Sequence, residues 1–129
     1  MSKKKLTITD LIEQKEKLTK SKKKTRELYI DQLGGTITIE APERSLVLDS
    51  IDLSNDNSYE GNPDDFLVYN IVVEPNLKDP ELQKIYECKE PVDIVSKIFD
   101  VGTITGIAKE AMNLAGYNSK VTPVDDLKN

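Results

Sequence analysis

Hydrophobic and polar positions change their period along this chain, and the changes mark its elements. Leu11, Ile12 and Leu18 form a narrow apolar stripe among Glu13, Gln14, Lys15, Glu16 and Lys17, all good helix formers. Thr7-x-x-Asp10 is a capping-box pattern, with Leu6 and Leu11 placed as a hydrophobic staple around it. A helix over residues 8–22 follows, after a frayed Met1–Lys5. Between Arg26 and Pro42 the period becomes two. Leu28 and Ile30 share one face before Gly34-Gly35; Ile37 and Ile39 share one after it, with Thr36, Thr38 and Glu40 opposite. A Gly-Gly pair supplies the positive φ values of a tight turn without steric cost, so the stretch predicts a β-hairpin.

Beyond the hairpin, helical spacing returns. Ala41-Pro42-Glu43 reads as a helix start with proline in the first turn, and Leu46, Val47, Leu48 and Ile51 as its buried side. Asp52–Asn62 is polar and turn-rich, a loop. Its Asp52, Asn55 and Asp56 lack the spacing and final Glu of a calcium loop, so solvation is the better reading. Asn62-Pro63-Asp64-Asp65 then joins a cap, a proline and two acids into a strong helix start. The run Phe66–Val73 that follows is the most apolar in the chain. Periodicity does not separate a buried helix from a buried strand there, and its β-branched content favours a strand. The start signal favours a helix, which is the reading adopted, ended by Glu74-Pro75.

Asp79-Pro80 and Glu90-Pro91 repeat the cap-then-proline device. Leu82, Ile85 and Tyr86 follow the first; Val92, Ile94, Val95, Ile98 and Phe99 follow the second. The last helix is the clearest, with Ile104, Ile107, Ala108, Ala111, Met112 and Ala115 in one stripe and Gly116 where a C-terminal glycine cap belongs. Its alanines allow close approach to another helix. Residues 118–129, with Pro123 and few apolar side chains, read as a flexible tail. The fold class is therefore mainly α with one β-hairpin, a small single-domain α+β protein of five to six helices. Its parts are a basic N-terminal arm (1–26), a hairpin and helical body (27–117), and the tail.

Charge divides the chain along the same lines. Residues 1–26 carry ten Lys/Arg against three Asp/Glu, or +7, and residues 27–129 carry eight against twenty, or −12. A basic arm on an acidic body can bind nucleic acid, or fold over its own body or that of a neighbouring copy. The acidic remainder repels a phosphate backbone, and no aromatics interleave the lysines of Lys20–Arg26 to stack on bases, so a solvated linker fits that run better.

Chemistry adds little. With no His, acid/base catalysis by imidazole is excluded, and with the single Cys88 there is no Cys/His cluster for zinc. A lone thiol without an activating motif reads as inert and suits a reducing cytoplasm. No apolar run approaches the ~20 residues of a membrane span, and the N-terminus lacks a signal-peptide core. Gly102-Thr-Ile-Thr-Gly106 has neither the spacing nor the lysine of a phosphate loop, so glycines flanking a helix start explain it. Asp64-Asp65 and Asp125-Asp126 fit capping and solubility. The residues point to a non-enzymatic interaction protein without metal or cofactor.

Six stretches in order resemble the XkdN-like phage tail assembly chaperone family. They are Leu11-Ile-Glu-Gln-Lys-Glu-Lys-Leu, the lysine run, Leu28-Tyr-Ile…Leu33-Gly-Gly-Thr-Ile-Thr-Ile-Glu, Val73-Glu-Pro-Asn-Leu-Lys-Asp-Pro-Glu-Leu-Gln, Glu90-Pro-Val-Asp-Ile-Val-Ser-Lys-Ile-Phe, and Ile107-Ala-Lys-Glu-Ala-Met-Asn-Leu-Ala-Gly-Tyr117. The resemblance implies a non-structural protein of a phage, prophage or phage-tail-like particle with a contractile tail. Such a chaperone covers the tape-measure protein in the host cytoplasm until tail-tube subunits replace it, and is absent from the mature particle. It carries over no catalytic, cofactor or metal residues. The surface expected to do the covering is the apolar side of the hairpin (Leu28, Tyr29, Ile30, Leu33) and of the final helix (Ile104, Ile107, Met112). The resemblance also brings in a frameshifted longer form, and Leu127-Lys128-Asn129 can be encoded by the slippery heptamer A AAA AAC. A homo-oligomer stays open. The competing classes are a small nucleic-acid-binding regulator using the basic arm and a minor structural tail component.

Overall fold

The computed structural model describes residues 4–15, 24–117 and 121–127. The chain divides into two compact units, one made of its ends (Met1–Lys23 with Ser119–Asn129) and one of Lys24–Asn118.

In the first unit, α1 (Ile8–Glu13) begins with the expected capping box. The Asp10 N–H donates to Thr7 Oγ1 at 3.2 Å, and the Thr7 N–H donates to Asp10 Oδ2 at 2.9 Å. Lys4 Nζ lies 2.8 Å from the same carboxylate and, with the Thr7 hydrogen bonds, holds the Asp10 pKa below its ordinary value. Yet α1 buries none of its residues. Leu6 and Leu11, the expected staple, are both exposed, as are Ile8 and Ile12. Leu18 and the rest of the predicted helix fall at residues 16–23, outside the described residues. Near the other end, Val124–Leu127 forms a 3-10 turn.

The second unit is built on a sheet. β1 (Thr25–Ile30) and β2 (Gly35–Glu40) pair antiparallel, with Leu28 opposite Ile37 and Ile30 opposite Gly35. The period-two pattern puts Ile30, Ile37 and Ile39 into the core. The turn differs from a two-glycine hairpin. It is a four-residue loop, Asp31–Gly34, in which the Ile30 carbonyl accepts from the N–H groups of Leu33 (3.1 Å) and Gly34 (2.8 Å). Gly34 closes it with a left-handed φ of 66°, and Gly35 is already strand.

α2 (Arg44–Asn55) starts after Pro42, which is buried ahead of the cap rather than in the first turn. Its body packs on one neighbouring helix, so only Val47 is buried and Leu46 half-buried, while Leu48 and Ile51, expected inside, are exposed. It also runs on to Asn55, claiming residues expected in the loop. That neighbour is α3 (Pro63–Ile71), started as predicted by Asn62 Oδ1, which accepts from the Asp64 N–H at 2.9 Å. α3 buries Leu67, Val68 and Ile71. Directly after it the backbone becomes a third strand, β3 (Val72–Glu74), with Val72 opposite Ile39 of β2. The apolar run is thus helix first and strand second. Capping and acid signals act on its first turn, and β-branched Val72 and Val73 meet an open sheet edge at its end.

α4 (Pro80–Ile85) is capped by Asp79, whose Oδ1 accepts from the N–H groups of Glu81 (2.8 Å) and Leu82 (3.1 Å). α5 (Asp93–Ile98) begins later than Glu90-Pro91 suggested, because Asp93 turns back and its Oδ2 accepts from the Glu90 N–H at 2.9 Å. α6 (Val101–Leu114) buries Ile104, Ile107, Ala108, Ala111 and Leu114. It ends in a Schellman cap: the Tyr117 N–H donates to the Met112 carbonyl and the Gly116 N–H to that of Asn113, both at 3.0 Å, with Gly116 at φ 82°. Among the described residues there are six α-helices and one three-stranded antiparallel sheet in the order β1-β2-β3, an α+β fold. None of these helices is long and apolar enough to cross a membrane.

Ile71 is fully buried and Ile85 is 70% exposed. In urea unfolding, Ile71→Ala is expected to lose about 2–5 kcal/mol, whereas Ile85→Ala stays within about 0.5 kcal/mol of wild type.

Candidate functional site: a groove between the hairpin and the last helix

β1 is an edge strand, paired on one side by β2. Between it and α6 runs a groove of about 590 Å³. Leu28, Tyr29, Ile30 and Asp31 form one wall; Asp100, Gly102, Thr103, Gly106 and Ile107 form much of the other. Leu28, Ile30 and Ile107 give it an apolar floor that belongs to the core or packs against it. The α6 wall is cut back by its glycines. A Cβ placed at Gly106 would meet nothing within 4 Å, and one at Gly102 only Asp100 Oδ1 at 3.9 Å. Four residues apart, these glycines lie on one face of the helix, and it is not the face of the Ile104–Ala111 stripe.

Polar contacts hold the two walls together at both ends. At the hairpin tip, Gln32 uses both halves of its amide: Nε2 donates to the Ile98 carbonyl at 3.2 Å, and Oε1 accepts from the Asp100 N–H at 2.9 Å. One side chain therefore ties the loop to the α5–α6 junction. Asp100 also caps α6 through its carboxylate, which accepts from the Thr103 N–H at 2.8 Å. The Thr103 hydrogen bonds lower the Asp100 pKa. At the other end Arg26 Nη1 meets Glu110 Oε2 at 3.1 Å, with both side chains nearly half exposed. Such a pair is worth about 0–1 kcal/mol, so it aligns the walls more than it locks them.

The predicted surface residues separate here. The groove brings together Leu28, Tyr29, Ile30 and Ile107, but not Leu33, Ile104 or Met112. Ile30, Ile104 and Ile107 were expected to be exposed and are buried at 5%, 3% and 2%, because the inward face of the strand and the stripe of the helix pack on each other through the core. Leu28 and Met112 are half-buried against the same core. Met112 lines a second, smaller cavity of about 290 Å³ with Ser50, Asp64, Leu67, Thr105, Ala108 and Lys109. Tyr29 and Leu33 remain exposed at 63% and 53%. Gln32, Asp31, Asp100 and the two glycines were not anticipated as parts of the site. Gly102 and Gly106, read from the sequence as flanking a helix start, both lie within α6, and Gln32 carried no local signal, since its partners lie more than sixty residues away.

Asp31, Asp100, Lys109 and Glu110 lie around an open groove rather than converging on one enclosed point. Among the described residues no group of three or more His, Cys, Asp or Glu is placed to hold a metal. Asp65, in the first turn of α3 and outside the groove, has a raised pKa; burial first, then Asp64 and Asp93, disfavour its charge. The groove thus combines an apolar floor with polar ends.

A family model described as "Phage XkdN-like tail assembly chaperone protein" matches residues 54–128, a stretch that contains α3 to α6 and begins after β1. No curated protein matches the chain at a significant level. Among solved structures, the crystal structure of the protein yqbn, a structural genomics target, aligns with a TM-score of 0.54 at 17% identity, covering 76% of this chain and 89% of that one. A likeness of that grade establishes a shared fold.

Gln32→Ala removes the acceptor of the Asp100 amide and frees the hairpin tip. Hydrogen exchange at the Asp100 amide is expected to speed up at a cost of about 1 kcal/mol in global stability. Asp100 supplies the pH test. Its pKa is lowered in the fold, so its contribution is complete above the ordinary carboxylate value of 3.8 and is lost as pH falls through the lower folded value. Asp100→Asn keeps a capping oxygen without the titration, and acid-unfolding curves of the variant are expected to be flatter through that window.

Proposed function

Because the chain belongs to the XkdN-like phage tail assembly chaperone family, we propose that it binds the tape-measure protein of a phage, prophage or phage-tail-like particle while a contractile tail is built. The groove between β1 and α6 is the surface that supports this reading best. A tape measure is long and helical, and its apolar seams need temporary cover before the tail tube encloses them. A groove with an apolar floor and a glycine-thinned wall accepts a helix ridge in the helix-in-groove manner. The weak Arg26–Glu110 end suits an interaction that must be undone. In this role the protein acts by covering surface, not by chemistry. It works in the bacterial cytoplasm and leaves with the arrival of tail-tube subunits.

Tyr29 and Leu33 are the residues to test, because both are exposed and can be changed without opening the core. Pull-down of the cognate tape measure is expected to weaken at least about tenfold for the Tyr29→Asp, Leu33→Asp double variant, the loss of roughly 1.4 kcal/mol that a modest contact residue carries. Undiminished capture would refute the surface. Mass spectrometry of purified tails separates this role from that of a structural component. The chaperone reading requires the protein's absence there, and its presence in stoichiometric amounts would overturn it.

A further inference from the structure

α2 is apolar on two sides. Val47 is buried and Leu46 and Leu53 half-buried on one side, whereas Leu48 and Ile51 on the other are 49% and 47% exposed. A helix with apolar residues all round is ordinarily covered all round. Arg44, Leu48, Ile51 and Asn55 follow one another at steps of four, three and four residues, the spacing of a seam between paired helices. All four are exposed.

The charges of α2 are an independent observation. The positive end of a helix dipole is its N-terminus, so acids suit the first turn and bases the last. Its neighbours obey this: α3 carries Asp64 and Asp65 in its first turn, and α4 has Glu81 in its first turn and Lys84 in its last. α2 reverses the rule. Its first turn holds Arg44 and no acid, and its last turn holds Asp52 and no base. Each charge sits at the end of α2 that disfavours it, and each would suit the opposite end of a helix lying antiparallel alongside.

We infer that the Arg44–Leu48–Ile51–Asn55 seam receives α2 of a second copy of this chain, as an antiparallel pair about a two-fold axis. Such a contact uses the same patch on both copies. Leu48 of each copy meets Ile51 of the other, and Arg44 of each comes to the C-terminal end of the other's helix, where Asp52 lies. A parallel pair would set Arg44 against Arg44 and Asp52 against Asp52, so charge selects the antiparallel one. The seam offers two large apolar side chains per copy, which places the dimer among small, transient interfaces with a Kd of about 1–100 μM.

Sedimentation velocity of the full chain between about 5 and 200 μM, a range bracketing that affinity, tests the pairing. The wild-type mass is expected to rise from monomer toward dimer across the range. Leu48→Gln with Ile51→Gln is expected to remain a monomer throughout with unchanged far-UV circular dichroism, since both side chains lie outside the core. Arg44→Glu makes both ends of the seam acidic, and Asp52→Lys makes both ends basic. Each alone is expected to weaken self-association at least about tenfold, because the two-fold axis counts each change twice. Mixed in equal amounts, these two are expected to pair with each other at least as tightly as wild type does with itself. A wild type that stays monomeric at the highest concentration would overturn the inference, whatever else covers α2. So would a dimer that withstands Leu48→Gln with Ile51→Gln, or charge variants that fail to pair when mixed. Tyr29 and Leu33 are unchanged in every variant, so loss of self-association is told apart from loss of tape-measure capture.

Discussion

The fold depends on the burial of one continuous stretch, Leu67 to Val72, in which the backbone passes from helix α3 into strand β3 with buried side chains on both sides of the junction. Helix and sheet are joined here by a single peptide rather than by a loop. Leu67, Val68 and Ile71 face the other helices while Val72 sits opposite Ile39 in the sheet. The spacing between the helical layer and the sheet is thereby set covalently as well as by packing. Interiors are close-packed, so a substitution at this junction disturbs both layers at once.

The groove follows from that arrangement. The sheet's inner face and the α6 stripe are consumed by the core, leaving the edge of β1 and the glycine face of α6 as the surfaces that meet without filling the space between them. Its two ends are held with different strength. Gln32 makes two directional hydrogen bonds from one amide, whereas Arg26 and Glu110 form a solvated pair that salt screens. One end is held by two directional hydrogen bonds and the other by an exposed ion pair.

The chain belongs to a tail assembly chaperone family, and its groove sets an apolar floor between polar ends. Tyr29 stays exposed at the groove and Leu33 at the hairpin tip. The core is built without these two residues.

Several signals confined to a few neighbouring residues were legible in the sequence. Thr7 with Asp10, Asn62-Pro63, Asp79-Pro80 and Gly116 each cap a helix where the local pattern placed it, because a cap needs only backbone groups two to five residues away. Alternation around Gly34 likewise located two strands and their inward faces. Whatever depends on the partner across space was decided by tertiary structure. Ile30, Ile104 and Ile107 became core rather than surface because strand and helix pack on each other. Leu48 and Ile51 stayed outside because α2 packs chiefly on α3. Val72 joined the sheet because β2 offered it a free edge, and Gln32 acquired its role from residues near position 100. Periodicity tells which residues share a face; which face is covered is settled only when another element arrives to cover it.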